Sequence, residues 1–224
     1  MSSTNPPILN APRVISLLLA VNFIVYLIKL IAPRGFELWL LLQFAFVAAP
    51  HAEPGSWSTG AVSLLLTPFS YMFLHGEFIH FAVNMAMLLA FGTVIARRMG
   101  SRTYLAFYLI CGVASAATWF LFHPESVSPL IGASGAISGM FGAVGRLSLR
   151  TPKPGDLPFL YFNRRTALAF VGVWIVFNFV FGALGGAVFG VDAQIAWEAH
   201  LGGFVTGYFL IGLFDGKGRY SLEV

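Results

Sequence analysis

VISLLLAVNFIVYLIKLIAP, residues 14–33, carries a single charge, Lys29, close to its far end. A helix needs about 20 predominantly apolar residues to cross the hydrocarbon of a bilayer. This run has that length, and Lys29 sits where a long side chain can snorkel to the interface. Only Arg13 supplies positive charge ahead of it, and no A-x-A-like cleavage signal follows, so it reads as a retained signal-anchor helix. Working outward, apolar runs near 78–96, 103–123, 133–149, 166–188 and 195–214 supply five further crossings. The expected fold is an all-α polytopic membrane protein with a helical domain over 14–214. Residues 1–13 and 215–224 are short cytoplasmic ends.

Composition points the same way. Hydrophobic residues make up 58% of the 224 and charged residues 10%, with a mean hydropathy of +0.80. Soluble domains carry about 25% charged residues, so this chain could not cover a water-facing surface. The net charge of +4 is not a nucleic-acid signal, because the basic residues lie in short runs between the spans. Cys111 is the only cysteine and sits inside an apolar run, which excludes an intrachain disulfide and a cysteine-rich metal site.

The stretch 34–77 is itself apolar. FELWLLLQFAFVAAP (36–50) and TGAVSLLLTPFSYMFLH (59–75) could each be a crossing, but Pro50, Pro54, Gly55 and Pro68 interrupt them. A folded or re-entrant loop is the preferred reading, with seven or eight spans as the alternative. Six spans with a cytoplasmic N-terminus put eleven of the thirteen basic residues inside: Arg13, Arg97, Arg98, Arg102, Arg146, Arg150, Lys153, Arg164, Arg165, Lys217 and Arg219. Lys29 and Arg34 remain outside beside Glu37, Glu53, Glu77, Glu125 and Asp192. That asymmetry places both termini in the cytoplasm. Internal repeats and matched broken helices of the transporter kind are not evident.

Polar residues inside spans need a protein partner or a water-filled cavity. His80 and Asn84, four apart, share a face near the outer end of the second span. Ser134 opens the fourth span from the same side, and His200 lies about one and a half turns into the sixth, by the pitch of an α-helix. Three helices thus bring a hydroxyl, an imidazole, and an imidazole with an amide to one depth. A hydroxyl becomes a nucleophile when a base takes its proton, which His200 can do for Ser134. An attacked carbonyl then needs donors where its charge develops. Asn84, His80 and the backbone around Ser134 at a helix start offer them. Taken singly, Ser134 reads as a helix cap and His200 as an interhelical hydrogen bond.

Gly132 and Gly135 flank the serine, leaving room for substrate backbone and a tight entry into the helix. Gly135-x-x-x-Gly139 and Gly203-x-x-x-Gly207 form small-residue faces that permit close helix approach. Glu198, two positions before His200, faces away from it and reads as reaching water. Asn178 reads as an interhelical or cavity-lining contact, and His75 as structural at the loop–helix junction. His51 and His123 have no chemical company in the sequence. A zinc protease would need H-E-x-x-H, whereas HGEFIH has the wrong spacing, and no paired acids lie within spans for aspartyl chemistry.

HGEFIHFAVNM (75–85), GASG (132–135) and AHLGGFVTG (199–207), in this order and on spans two, four and six, resemble the rhomboid family of intramembrane serine proteases. The resemblance runs from about residue 14 to 214. It implies a six-transmembrane-helix rhomboid-like core, a membrane-associated loop between the first two helices and a cavity opening outward. It implies Ser134 as nucleophile and His200 as general base, a dyad with no catalytic acid. His80 and Asn84 assist the oxyanion hole with the Ser134 backbone, and His75 holds the loop before span two. Gly203 and Gly207 seat the sixth helix against the fourth. Substrates implied are transmembrane proteins cut in or near their spanning segment. Partners are those substrates and membrane lipid, with no nucleic acid, cofactor or metal, and the homo-oligomeric state is not readable. The minimal core suggests a bacterial inner membrane.

The sequence departs from the family twice. Well-known bacterial members carry an aromatic residue four after the nucleophile, packed against the histidine; here that position is Ser138. The Trp-Arg pair of their first long loop is not apparent before His75. Two other classes stay open: a non-catalytic member that binds transmembrane segments, and a small transporter.

Overall fold

The computed structural model describes residues 11–52, 60–149, 164–183 and 196–214. Expectations for both chain ends, for the loop at 189–194, and for Arg150, Lys153, Asp192, Lys217 and Arg219 fall outside these residues. The described chain is helical, and its one β-bridge joins Phe46 to Leu130.

Helix α1 spans Arg13–Ile31, between Pro12 and the Ala32–Pro33 step that stops it. Helix α5 runs Phe78–Met99 with a π-helical turn at Leu88–Gly92. Gly100, at φ 78°, ends it and lets α6, Ser101–Phe122, turn straight back. A residue with a Cβ resists that left-handed conformation. Then come α7, Ser134–Leu149; α8, Arg164–Ala183; and α9, Trp197–Phe214. These six fall on the six expected spans, with residues 184–188 of the fifth outside the described residues. Of the described helices, α1, α5 and α6 are long and apolar enough to cross a membrane by length and composition alone. α9 carries Glu198 and His200 in its first turn.

Between α1 and α5 the chain makes α2, Arg34–Phe44; α3, Ala49–Ala52; and α4, Ala61–Ser70. Eleven and ten residues extend only about 15–17 Å as helix, half the ~30 Å of hydrocarbon. The folded-loop reading therefore holds over seven or eight spans. The loop is tied down rather than draped. Phe46 and Leu130 exchange both backbone hydrogen bonds (3.2 and 2.8 Å), and Ala49 N–H reaches Ser126 O at 3.0 Å. His51 Nδ1 donates to Val47 O at 2.7 Å, and the Thr67 hydroxyl of α4 donates to its Nε2 at 3.3 Å, joining α3 to α4. Lys29 reaches Gly76 O and pairs with Glu37 at 3.1 Å. It thus ties α1 to α2 and to the turn before α5, where the sequence suggested snorkelling.

Twelve of the sixteen residues of α7 are buried, which makes it the central helix. It is about 24 Å long, short of the hydrocarbon thickness, so a helix with its inner end at one interface starts below the other. Large apolar side chains face outward on the peripheral helices, among them Leu30, Ile79, Val173 and Leu213, all more than 60% exposed. Such a surface would aggregate in water and is at home in lipid.

Packing between α7 and α9 rests on missing side chains. A Cβ on Gly203 would fall on the Gly135 carbonyl, one on Gly207 on the Gly139 carbonyl, and one on Gly142 on the Phe204 carbonyl. Lipid supplies no hydrophobic drive between helices, so close backbone approach must supply the van der Waals contact. On the other side of α7, Gly139 accepts Cys111 of α6 and Gly135 accepts Ser115. The space at Gly135 therefore serves helix packing.

Candidate active site

The site forms where the N-termini of α7 and α9 meet the start of α5. Ser134 is the first residue of α7, and His200 lies in the first turn of α9. The close packing at Gly135 and Gly203 draws these two helix starts together. Ser134 Oγ lies 2.7 Å from His200 Nε2. At that distance the hydroxyl donates to a neutral imidazole nitrogen, and its proton has a path to leave.

The other imidazole nitrogen is also engaged. His200 Nδ1 stands 2.8 Å from Asn178 Oδ1 on α8. The amide Nδ2 of Asn178 donates to Trp197 O at 3.1 Å. The interhelical reading of Asn178 was correct in kind, but its contact with His200 was not visible in the sequence. Ser138 turns its hydroxyl back to Ser134 O at 2.8 Å.

Gly132 has φ +115°, which only glycine adopts without strain. The point where its Cβ would sit is 2.7 Å from His80 Nε2 and 3.7 Å from Ser134 Oγ. His80 and the serine therefore face one small space, kept open by this glycine. The Gly132 N–H is held by Tyr71 O at 2.9 Å, and the Tyr71 hydroxyl donates to Gly112 O at 2.8 Å. Ala133 N–H points to His75 Nε2 at 3.5 Å, a long contact. Burial, with His80 beside it, pushes the His75 pKa well below the imidazole range, so His75 is neutral and able to accept. His75 and His80 meet edge to face, 5.2 Å between ring centres.

Asn84 is buried and donates one amide N–H to His80 O at 2.9 Å; its second N–H remains. The first N–H groups of a helix have no partner within it. In α7 these begin at Ser134 and Gly135, since Ile137 N–H is the one that reaches Ala133 O. The free N–H groups at the start of α7 thus lie beside the nucleophile, with the helix dipole favouring negative charge there.

Other expectations changed. His123 and Glu198 are partners at 3.1 Å, joining the end of α6 to the start of α9. Glu198 does face away from His200, yet it is buried rather than in water. Ser115 donates to Ala199 O at 2.6 Å, fixing the residue next to His200. The sequence flagged neither Ser115 nor Tyr71, because a serine or a tyrosine in an apolar run is ordinary. The described residues contain no group of three or more histidine, cysteine or acidic side chains able to hold a metal ion.

A family model described as Rhomboid domain matches residues 63–216. The chain is 34% identical over 149 residues to Rhomboid protease GluP of Bacillus subtilis, covering 65% of this chain and 24% of that protein. It is 30% identical over 141 residues to RHOMBOID-like protein 5 of Arabidopsis thaliana, covering 63% and 41%. It is 28% identical over 192 residues to the mitochondrial Rhomboid protein 1 of Saccharomyces cerevisiae, covering 82% and 51%. The chain therefore spans between 24% and 51% of the length of these curated relatives.

Proposed function

Since this multi-pass membrane protein belongs to the rhomboid family, we propose that it is a serine endopeptidase acting within the membrane on transmembrane protein substrates. The observation that carries this reading is the 2.7 Å contact between Ser134 Oγ and His200 Nε2. Ser134 attacks the scissile carbonyl carbon while its proton passes to His200 Nε2. The oxyanion accepts N–H groups from the start of α7, from His80 Nε2 and from the free N–H of Asn84. Collapse breaks the C–N bond, and the proton on His200 goes to the leaving amine. Water then enters, gives a proton to His200 and attacks the acyl carbon; the C–O bond to Ser134 breaks, and His200 returns the proton to Ser134 Oγ.

His75 holds the backbone just ahead of Ser134, and Gly132 keeps the carbonyl's place clear. Gly135, Gly139, Gly203 and Gly207 hold α7 and α9 close enough for the dyad. Residues 14–214 form the protease domain, flanked by cytoplasmic ends at 1–13 and 215–224. The site opens to the outer side of a bacterial inner membrane. The positive-inside distribution supports that orientation, and the reaction needs no cofactor. The test is a panel of single-pass proteins incubated in proteoliposomes with wild type and with Ser134→Ala. Cleavage of at least one by wild type and none by the variant is expected. Equal cleavage by both would refute the nucleophile, and binding without cleavage by either would favour the non-catalytic reading.

A further inference from the structure

We infer that Asn178 is a positioning residue, making the site a Ser134–His200–Asn178 arrangement in which an amide from α8 fixes the tautomer and angle of the imidazole. The inference rests on the dyad reading above and adds to it. A base for Ser134 must present an unprotonated Nε2, so its proton belongs on Nδ1. An amide oxygen accepts and cannot donate. With Oδ1 at 2.8 Å, Asn178 therefore selects the Nδ1–H tautomer.

The orientation of that amide is determined by its other end. Nδ2 lies 3.1 Å from the Trp197 carbonyl, which accepts only a donor, so the oxygen must face the ring. The helix that carries Asn178 is itself firmly placed. A Cβ on Gly182, one turn on, would run into Trp197, and Phe179 meets the Trp197 ring edge-on at 5.8 Å. One turn before Asn178, Trp174 stacks on Phe204 of α9 at 4.3 Å. These contacts bracket Asn178 on both sides, and the residue itself is buried.

Ser138 gives the arrangement its reason. A serine four residues after Ser134 offers no ring to pack on the imidazole, and its hydroxyl is spent on Ser134 O. The support for His200 has to come from elsewhere, and α8 supplies it as a hydrogen bond. When His200 takes the serine proton, the Nδ1–H bond to Asn178 persists and the amide dipole faces the new positive charge. The amide remains neutral throughout and no proton moves onto it.

The experiment compares wild type, Asn178→Leu, Asn178→Asp and Ser134→Ala on a single-pass substrate that wild type cleaves in proteoliposomes. Leucine has similar bulk and suits an apolar helix, but it accepts no hydrogen bond. Its kcat is expected to fall on the order of 10–100-fold with KM within about threefold, because orientation rather than substrate contact is lost. The loss stays below the ~10⁴-fold seen when a triad carboxylate is replaced by a group that enforces the wrong tautomer. Asn178→Asp restores an acceptor and should recover at least about tenfold of that loss. A second measurement is independent of turnover. In ¹⁵N-histidine-labelled protein in detergent, His200, identified by difference from His200→Ala, should show Nδ1 protonated in wild type and a mixture of tautomers in Asn178→Leu. A Leu variant with kcat within twofold of wild type overturns the inference, and so does a wild-type His200 protonated at Nε2. Either result leaves the dyad intact. Cleavage by Ser134→Ala at the wild-type rate would instead sink the dyad, and with it any role for its support.

Discussion

Gly132→Ala is the sharpest test of how the site is held open. Gly132 has φ +115°, and an added Cβ would lie 2.7 Å from His80 Nε2 and 2.9 Å from its Cε1. Ordinary contact begins at 3.4 Å, so the ring would have to withdraw by at least about 0.7 Å, the difference from 2.7 Å. Two costs combine. A left-handed conformation costs an L-residue roughly 1–2 kcal/mol, and overpacking against a held neighbour costs roughly 1–3 kcal/mol. If the chain relaxes by turning φ negative, Ser134 is carried away from His200; if it does not, His80 moves. Both routes misplace a group by about an ångström, which costs on the order of 10² in rate. The assay is cleavage of a single-pass substrate in proteoliposomes, with thermal unfolding followed by the helical spectrum in mild detergent. Gly172→Ala is the control, because a Cβ there meets nothing within 4 Å. The expected result is roughly a 10²-fold loss of cleavage and lower thermal stability for Gly132→Ala, with neither change for Gly172→Ala. Two variants that cleave and melt alike would refute the claim that this glycine clears the space between His80 and Ser134.

Asn84→Ala removes the free amide donor and should lower kcat by up to about 10²–10³-fold, less where His80 and the α7 amides compensate; unchanged kcat at normal protein level would remove Asn84 from the oxyanion site. A fluorophosphonate should label wild type and Ser138→Ala, fail on Ser134→Ala, and label His200→Ala poorly, with the double variant scarcely worse than either single one. Labelling of Ser134→Ala at wild-type level would show that another nucleophile reacts. Glu198→Gln keeps a hydrogen bond to His123 and should leave cleavage within about twofold, because the side chain faces α6; a loss above tenfold would put Glu198 in the site. With Cys111→Ala as background, a cysteine at position 128 should react with an impermeant thiol reagent from outside intact cells. Cysteines at positions 3 and 221 should not, and labelling of either would reverse the assigned orientation.

Membrane residence, the six crossings and the shared depth of Ser134, His80 and His200 were legible in the sequence. Hydrocarbon imposes a length on every spanning helix and a penalty on every polar group within it, and both are properties of a linear string. Counting residues from a span's end gives depth, so three polar groups at one level stand out before any helix is packed. The glycine pairs at 135/139 and 203/207 were legible for the same reason, since a small residue every fourth position marks one face.

Tertiary structure alone decided azimuth, meaning which way each helix is turned about its own axis and toward which neighbour. A helix in lipid is apolar nearly all round, so its sequence has no wet face against which to fix that rotation. Asn178 lies twenty-two positions from His200 and reaches it only because α8 docks through Gly182 and Trp174 on α9. Lys29 on Gly76, Ser115 on Ala199 and His123 on Glu198 join positions 47, 84 and 75 apart, and no local pattern encodes such pairs. Gly135 shows the same limit within the motif itself. Its smallness was readable, but not that Ser115 of α6 is the side chain it makes room for. Depth is set by the solvent and can be read along the chain, whereas rotation is set by the neighbours and exists only once they are packed.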